Sequence, residues 1–352
     1  MPSIESDMAP RIAVDAMGGD YGPHIVVPGA VDAAREGIAV SLVGSEEAIN
    51  AELAKLNVEG LDITVVPASQ VVEMEDKPAD ALRRKRDSSI QVACKLVKNG
   101  EADGVISAGN SGATVACGMF VLGRVKGVLR PGLATIMPTE KEPVIMLDVG
   151  ANVDSKPEHL FQFGLMADVF ARDVLEYENP SIGILSIGEE EGKGNAAVRE
   201  AFDMLRSSDL RFIGNVEGRD IFTGDVDVVV CDGFVGNVAL KLSEGLAKSM
   251  SRILKDELKS SWLSKLGTLL SLRAFKRFKR VIDYAEYGGA PLLGLKGVVI
   301  VTHGKSNELA IANCIRMAAT AARNQTPKHV AEGMAAHKEL AAKSEKNGKT
   351  AA

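Results

Sequence analysis

Residues 181–195 read SIGILSIGEEEGKGN, and this stretch contains the local pattern that decides the fold. The apolar run Ile182–Ile187 predicts a buried strand, and the glycines and charges after it predict a turn. Helix-forming residues with apolar positions at helical spacing follow over Ala196–Leu205. A strand, a glycine turn and a helix in this order direct backbone N–H groups at an anion. Lys193, between two glycines of the turn, is therefore a candidate anion ligand; a solvated lysine in a tight turn is an equally good interpretation.

The same unit of strand, polar glycine turn and helix recurs along the chain from residue 11. Such alternation predicts a mostly parallel α/β sheet with helices on both faces. We expect flexible tails over residues 1–10 and 324–352, and a single domain over residues 11–323. We also expect one amphipathic helix over Asp80–Lys98. Because the carboxyl ends of parallel strands share one edge, the turns of Asn110 and Asn152 should face the same cleft as Lys193.

Composition and charge exclude several classes of protein. The hydrophobic share of 46% is that of a globular protein, and the net charge of -6 argues against a general nucleic-acid binder. The N-terminus has neither the basic nor the apolar part of a signal peptide, so we expect no signal peptide there. The cysteines never form a CxxC pair, which argues against zinc ribbons and disulfide frameworks and suits a protein of the reducing cytosol, so we expect a cytoplasmic location. They are Cys94, Cys117, Cys231 and Cys314.

One segment departs from the alternation, a predicted helical arm at about residues 245–285. Its middle, Lys259–Arg280, has seven basic residues and no acidic one. This pattern predicts a basic amphipathic helix or helical hairpin. It fits an anionic membrane surface, an acidic protein partner, a packed dimer arm or an ordinary surface helix. The residues that would meet a membrane are Trp262, Leu266, Leu269, Leu270, Arg273, Lys276, Arg277, Lys279 and Arg280.

Familiar catalytic signatures are missing from the sequence. There is no GxSxG elbow, no GxGxxG after a strand and no HxxxH pair, which argues against a serine hydrolase, a dinucleotide enzyme and a zincin. The 181–195 stretch is not a nucleotide P-loop, because its glycine gap is one residue short. Cys231 is a possible nucleophile or, more simply, a buried structural cysteine. His303 is an acid–base candidate or an ordinary loop histidine.

Eight motifs occur in an order that strongly resembles the bacterial phosphate acyltransferases of the PlsX family. The resemblance covers about residues 11–322. The motifs are DAMGGD (15–20), SAGNSGA (107–113), RPGLA (130–134), LDVGAN (147–152), IGEEEGKG (187–194), GNVEGRDI (214–221), CDGFVGNVALK (231–241) and YGGAPLLGLKG (287–297).

The resemblance implies transfer of a fatty acyl group from acyl carrier protein to inorganic phosphate, which gives acyl phosphate for phospholipid synthesis. It also implies a Rossmann-like three-layer α/β/α fold, a homodimer and peripheral attachment to the inner face of the cell membrane. By this likeness Lys193 and Asn237 are the catalytic candidates. The residues that we expect to bind substrate are Asp15, Gly18, Gly19, Asp20, Asn110, Ser111, Gly112, Asp148, Asn152, Gly192, Gly194 and His303.

The chemistry of this reaction agrees with the residues. Phosphate is a competent nucleophile at neutral pH and a thiolate is a good leaving group, so the protein needs only to position the reactants and stabilise an oxyanion. We therefore expect neither a metal nor a cofactor. Three alternatives stay open: a phosphotransacetylase-like enzyme that uses coenzyme A, a decarboxylating dehydrogenase on a related fold, and a non-catalytic scaffold that tethers lipid enzymes to a membrane.

Overall fold

The computed structural model describes residues 9–282 and 284–340. For residue 279 and residues 281–285 the side chains lie outside this description, and so does the part of the sequence prediction that concerns the Lys279 side chain. The parts of both predicted tails at residues 1–8 and 341–352 lie outside it as well.

The described residues form an eleven-stranded mixed sheet with the order β3-β2-β1-β4-β11-β10-β5-β6-β9-β7-β8. Most strands are short apolar runs buried on both faces, as parallel strands under helices require. The strands are β1 (Arg11–Asp15), β2 (Ala39–Gly44), β3 (Ile63–Pro67), β4 (Gly104–Ser107), β5 (Gly132–Met137), β6 (Val144–Leu147), β7 (Ile182–Leu185), β8 (Phe212–Val216), β9 (Val228–Val230), β10 (Ala290–Leu293) and β11 (Val298–Val301).

Helices cover both faces of the sheet, which gives the three layers expected from the sequence. The sheet divides the core into separate apolar clusters on its two faces. Alternate residues of β1 show this, because Ile12 and Val14 belong to one cluster and Ala13 to another. Several helices begin at an Asn, Ser or Asp whose side chain accepts a backbone N–H. The helices are α1 (Pro23–Ala34), α2 (Glu46–Leu53), α3 (Pro78–Arg84), α4 (Ser89–Asn99), α5 (Ser111–Cys117), α6 (Pro157–Leu175), α7 (Ala196–Arg206), α8 (Gly233–Lys259), α9 (Trp262–Leu270), α10 (Leu272–Ile282), α11 (Glu308–Arg323) and α12 (Thr326–Ala336).

The sheet has two parallel halves that run in opposite directions. One half contains β1–β4 and β11, and the other contains β6–β9. β10 and β5 lie between them, and β10 is antiparallel to β11 and to β5 while β5 is antiparallel to β6. The expectation that all strand carboxyl ends share one edge is therefore wrong, because these two central strands reverse the direction of the second half.

The register nevertheless brings the carboxyl ends of the two halves together at the centre. Val301, the last residue of β11, pairs with Ala290 of β10. Leu292 of β10 pairs with Leu133, and the next residue of β5 pairs with Leu147 at the end of β6. The two ends thus lie within about one residue, or ~3 Å, of the same level along the strands. The polar turns that follow β4, β11, β6 and β9 meet in this central region.

Two local predictions are corrected. The single helix expected over Asp80–Lys98 is two helices, because the Gln91 amide donates to the carbonyls of Ala81, Leu82 and Lys85 and so completes the end of α3. The chain leaves the helix there and restarts at α4. Within the expected flexible tail, residues 326–336 form α12 instead, and its side chains Val330 and Met334 join the core.

Candidate active site

The turn after β6 is folded around the carboxylate of Asp148, which is fully buried. The backbone N–H groups of Leu133, Gly150, Ala151 and Asn152 donate to it at 2.7–3.2 Å. The side-chain amide of Asn152 adds a further bond of 2.8 Å. Burial raises the pKa of Asp148, and the bonds from Asn152 and the backbone oppose that rise. The Asp148 carboxylate therefore takes up the N–H groups of its own turn that could otherwise bind an external anion.

The start of α8 packs directly onto this turn through two glycines. A Cβ at position 233 would lie 2.5 Å from Asp148 Oδ2, and one at position 236 would lie 2.0 Å from the Asp148 carbonyl oxygen. Only glycine allows so close an approach. The packing places Asn237, one residue further on, against Gly150, where an added Cβ would be 3.5 Å from Asn237 Cγ.

Asn237 lines a cavity of about 520 Å³ at the junction of the two halves of the sheet. The turn after β4 contributes Ser111 and the turn after β11 contributes His303. From the other half come Gly150 and Asn237. Three of the expected site residues, Ser111, Asn237 and His303, thus line one cavity.

The cavity wall is positively charged. Lys241, Lys248 and Lys305 line it together with one carboxylate, Glu244. Glu244 forms ion pairs of 3.4 Å with Lys241 and 3.9 Å with Lys248. Three ammonium groups against one carboxylate leave a net positive charge, which favours an anionic ligand.

His303 is oriented by its own turn. Its Nδ1 accepts a hydrogen bond of 3.0 Å from the backbone N–H of Lys305. The proton of the neutral ring is therefore on Nε2, which makes that atom a donor.

The turn after β1 supports the cavity from behind and does not line it. Asp15 is buried and accepts a hydrogen bond of 2.6 Å from the Ser107 hydroxyl. Burial raises the pKa of Asp15, and the bond from Ser107 acts against that rise. Gly18 lies against Gly109, and the backbone N–H of Asp20 donates to the Gly304 carbonyl at 2.8 Å. With Gly19, which lies between Gly304 and Ala108, these residues connect the turns of three neighbouring strands.

Asn110 is engaged within the protein through both ends of its amide. Its oxygen accepts from the N–H of Ala113 at 3.0 Å at the start of α5. Its nitrogen lies 2.9–3.3 Å from the carbonyl oxygens of Glu73, Met74 and Asp76. Asn152 is similarly engaged, since its amide also donates to Pro131. Direct binding of substrate by Asn110, Asn152, Asp15, Asp20 or Asp148 stays a prediction, and so does a role for Gly112, which packs against Pro78.

Lys193 lies outside the cavity lining, on the loop after β7. Gly192 and Gly194 on either side have φ angles of 87° and 96°, a region that favours glycine. The side chain of Lys193 is half exposed, and its ammonium is 4.0 Å from Glu190. Leu147 and Ile184 both pair with Val230, so this loop leaves the sheet at the same level as the Asp148 turn, two strands or ~10 Å away. The catalytic roles of Lys193 and Asn237 stay predictions.

The cationic wall of the cavity was not among the features predicted from the sequence. Asn237, Lys241, Glu244 and Lys248 follow one another at spacings of four, three and four, which places them on one helix face. This spacing indicates a shared helix face, but the sequence alone does not show which part of the protein that face lies against.

Cys231 is a buried thiol at the end of β9. Its Sγ lies 3.2 Å from the carbonyl oxygen of Asp148, and burial raises the pKa of the thiol. Because the thiolate is the nucleophilic form, this environment supports the structural interpretation of Cys231. Among the described residues, no group of His, Cys, Asp or Glu side chains could hold a metal ion.

The predicted arm consists of the distal part of α8 with α9 and α10. Trp262, Leu269 and Leu270 are between 62% and 81% exposed, and Leu266 and Phe278 are about half exposed. The side chains of Arg273, Lys276, Arg277 and Arg280 are exposed beside them. Across the described part of the chain, no helix has the length and apolar character needed to cross a membrane.

Comparison with solved structures places the fold among α/β enzymes of the phosphotransacetylase type. The chain superposes on a phosphotransacetylase from Streptococcus pyogenes with a TM-score of 0.64 at 20% identity, over 90% of this chain and 95% of that one. The EutD phosphotransacetylase from Staphylococcus aureus gives a TM-score of 0.61 at 16% identity over the same shares. At this identity the likeness concerns the fold alone.

Sequence comparison identifies the family. Residues 10–329 match the family described as fatty acid synthesis protein. A phosphate acyltransferase from Nitratidesulfovibrio vulgaris (strain DP4) is 64% identical over 331 residues, 94% of this chain and 96% of the relative. One from Lawsonia intracellularis is 60% identical over 332 residues, with the same coverage. The chain therefore belongs to this family and is an acyltransferase, as its resemblance to the PlsX enzymes predicted.

Proposed function

We propose that this acyltransferase moves a fatty acyl group from the thioester of acyl carrier protein to inorganic phosphate. The observation that carries the proposal is the cationic cavity at the junction of the two halves, where glycine packing holds Asn237 beside the turn after β6. The product, an acyl phosphate, would supply phospholipid synthesis. The names of the similar phosphate acyltransferases support phosphate as the acceptor.

In the proposed reaction, phosphate binds among Lys241, Lys248 and Lys305. One of its oxygens attacks the thioester carbonyl, the new C–O bond forms, and the C–S bond breaks with its electron pair on the leaving thiolate. The amide of Asn237 donates to the tetrahedral oxyanion, where one donor is typically worth ~10²-fold or more in rate. His303 Nε2–H is placed to donate to a phosphate oxygen. Lys193, from the loop after β7, neutralises charge that develops on the phosphate or the oxyanion.

The acyl donor separates this proposal from its nearest alternative. A positively charged rim suits both an acidic carrier protein and the phosphates of coenzyme A, so the donor must be determined kinetically. The test is phosphate-dependent release of free carrier protein from acyl-carrier protein, with acyl-coenzyme A as the competing donor. Release that requires phosphate and exceeds turnover of acyl-coenzyme A supports the proposal. Transfer from acyl-coenzyme A alone would favour a phosphotransacetylase-like activity.

A lysine variant sharpens this test. Lys305→Gln removes one cation from the cavity wall. Because Lys305 lies in the turn after β11, the substitution does not alter α8. We expect a higher KM for phosphate and a weaker salt dependence of kcat/KM. Lys55→Gln, at an exposed lysine in the turn after α2, serves as the control.

We further propose that the enzyme is a cytoplasmic homodimer that attaches to the inner face of the cell membrane through α9 and α10. Exposed apolar side chains on α8, including Leu242 and Ile253, support the dimer. The exposed leucines, Trp262 and arginines of the arm support docking on anionic lipid. Sedimentation measurements at several concentrations test the dimer, and vesicle binding tests the membrane.

A further inference from the structure

A second cavity of about 570 Å³ adjoins the one that Asn237 lines. The two cavities share five lining residues, so they lie side by side. These are Thr135, Ile136, Leu240, Glu244 and Tyr287. The second cavity is a groove between β5 with the turn after it and one face of α8, and it is called the β5–α8 groove below.

The β5–α8 groove is mainly apolar. Ile136 and Met137 line it from the sheet, Leu246 and Met250 from α8, and Phe222 from the segment before β9. Leu246 and Met250 are each about 60% exposed, although they are large apolar side chains. An apolar surface left open to water beside a polar reaction cavity is typical of a binding site for an apolar part of a ligand.

The length of the groove matches an extended hydrocarbon chain. Its α8 wall extends from Leu240 to Met250, about 15 Å at the helical rise per residue. This is half of the ~30 Å hydrocarbon thickness of a bilayer, and so about the depth that one leaflet of acyl chains fills. The distal end reaches Phe278 of α10, in the arm.

We propose that the β5–α8 groove binds the acyl chain of the substrate and sets the chain lengths that the enzyme accepts. The inference rests on the proposed function, because the thioester must lie in the cavity of Asn237. The carbonyl then lies among the cations and Asn237, and the hydrocarbon passes Leu240 and Ala247 towards Met250 and Phe278. Ala247 is a small apolar residue on the α8 wall, and its methyl group leaves room for the chain to pass.

The test fills the groove at Ala247 in steps, with Ala247→Leu, Ala247→Phe and Ala247→Trp. The readout is the ratio of kcat/KM for palmitoyl-carrier protein to that for octanoyl-carrier protein. Each methylene that is kept out of an apolar site costs about fourfold in binding. Exclusion of two or more should lower the ratio at least about tenfold, progressively with side-chain size. Ala247→Leu preserves helix propensity, so a result is available even if the larger variants do not fold.

Gly245→Trp provides the matched control. It adds the same side chain two residues away on α8, where an added Cβ meets no atom within 4 Å, and Gly245 lines neither cavity. We expect its chain-length ratio to equal that of the wild type.

The outcomes are distinct. An unchanged chain-length ratio in the folded Ala247 variants, or an equal change of that ratio in Gly245→Trp, overturns the proposal that the groove binds the acyl chain. A change of oligomeric state with an unchanged ratio also overturns it, and identifies the groove as a contact between subunits. If the wild type transfers acyl groups of neither length to phosphate, the proposed function itself has failed, which is separate from failure of the groove.

Discussion

The side-chain amide of Asn152 donates a hydrogen bond of 2.8 Å to the Asp148 carboxylate, which is buried beneath the start of α8. The same carboxylate accepts four backbone N–H groups, so a single anion fixes the turn that faces Asn237. The relationship is structural, and it makes the geometry of the cavity depend on the charge of a residue that does not line it.

We expect Asn152→Ala to destabilise the protein by about 1.5–3 kcal/mol at slightly alkaline pH, the usual value of a hydrogen bond to a charged group. The effect should shrink in acid. Burial raises the pKa of Asp148 in the folded state, so the native protein holds that proton more tightly than the unfolded chain does. The contribution of Asp148 to stability therefore falls as pH rises through the interval between the unfolded and folded pKa values. Loss of the Asn152 donor raises the pKa of Asp148 in the folded protein further and extends this pH interval upwards. The variant therefore loses more stability than the wild type as pH rises, and the difference between them is smallest in acid. Urea unfolding over a pH series that begins near the ordinary aspartate pKa of about 3.9 and extends to about pH 8 measures the difference.

Asn110→Ala is the control for this pH dependence. The Asn110 amide bonds only to uncharged backbone groups, so its removal should cost a similar free energy of unfolding at every pH in that range. A pH-independent loss in Asn152→Ala would contradict the assignment of Asp148 as an ionised anchor.

Asn237 should be essential for turnover and dispensable for folding, because it is exposed and its neighbour Gly236 makes the close packing contact. We expect Asn237→Ala to lower kcat/KM for phosphate by ~10²-fold. Asn237→Asp should lower kcat/KM for phosphate further than Asn237→Ala does, since a carboxylate would repel phosphate in the cavity. Asn50→Ala, an exposed asparagine on α2, provides the control. Near-normal rates in Asn237→Ala would remove the residue from the reaction.

Lys193→Met should fold normally and lose transfer activity by ~10²-fold or more, through loss of one charge-assisted contact to the developing anion. Folding should be little affected, because the ion pair that Lys193 forms within the described part of the chain is a 4.0 Å contact between two exposed side chains. Lys55→Met is a control, since Lys55 is also an exposed lysine that pairs with a glutamate three residues earlier. Equal turnover in the two variants would show that the loop after β7 takes no part in the reaction.

Most of the fold could be predicted from local sequence, because strands such as Val228–Val230 are apolar runs followed by polar turns. The reversal of the second half could not. It depends on β10, which begins directly after two glycines, contains Pro291 and shows no apolar–polar alternation that marks a strand. Each local prediction assumed parallel strands, so the shared edge was wrong even though most of the strands were correct.

The candidate site was predictable to the extent that its residues follow strands. Ser111 and His303 were found in this way, and the register brings them together. Lys241 and Lys248 were missed, because they belong to a helix face whose partner is set by tertiary packing. Tertiary packing also decides the role of the Asp148 turn. Its pattern predicts backbone donors for a ligand, but in the structure those donors bind the carboxylate of Asp148.

The arm should bind anionic membranes through two separable contributions. Each basic side chain near the lipid surface contributes about 1 kcal/mol at low salt. The exposed apolar side chains add burial that salt does not screen. Replacement of Arg273, Lys276, Arg277 and Arg280 with glutamine should therefore release the protein from anionic vesicles. Replacement of Leu269 and Leu270 with serine should also weaken binding, with little change in its salt dependence. Co-sedimentation with anionic and zwitterionic vesicles over a range of salt measures both effects.

Lipid-free kinetics on the glutamine variant distinguish the membrane from a protein partner. If the arm meets lipid, transfer from soluble acyl-carrier protein should continue at nearly the normal rate, because the arginines and Lys276 lie outside the cavity of Asn237. If the arm meets the acidic carrier protein instead, the KM for that substrate should rise while kcat changes little, since recognition is lost and the reacting groups are intact. Full vesicle binding by the glutamine variant would remove the electrostatic contribution altogether, and membrane attachment would then rest on the exposed apolar side chains of α9 and α10.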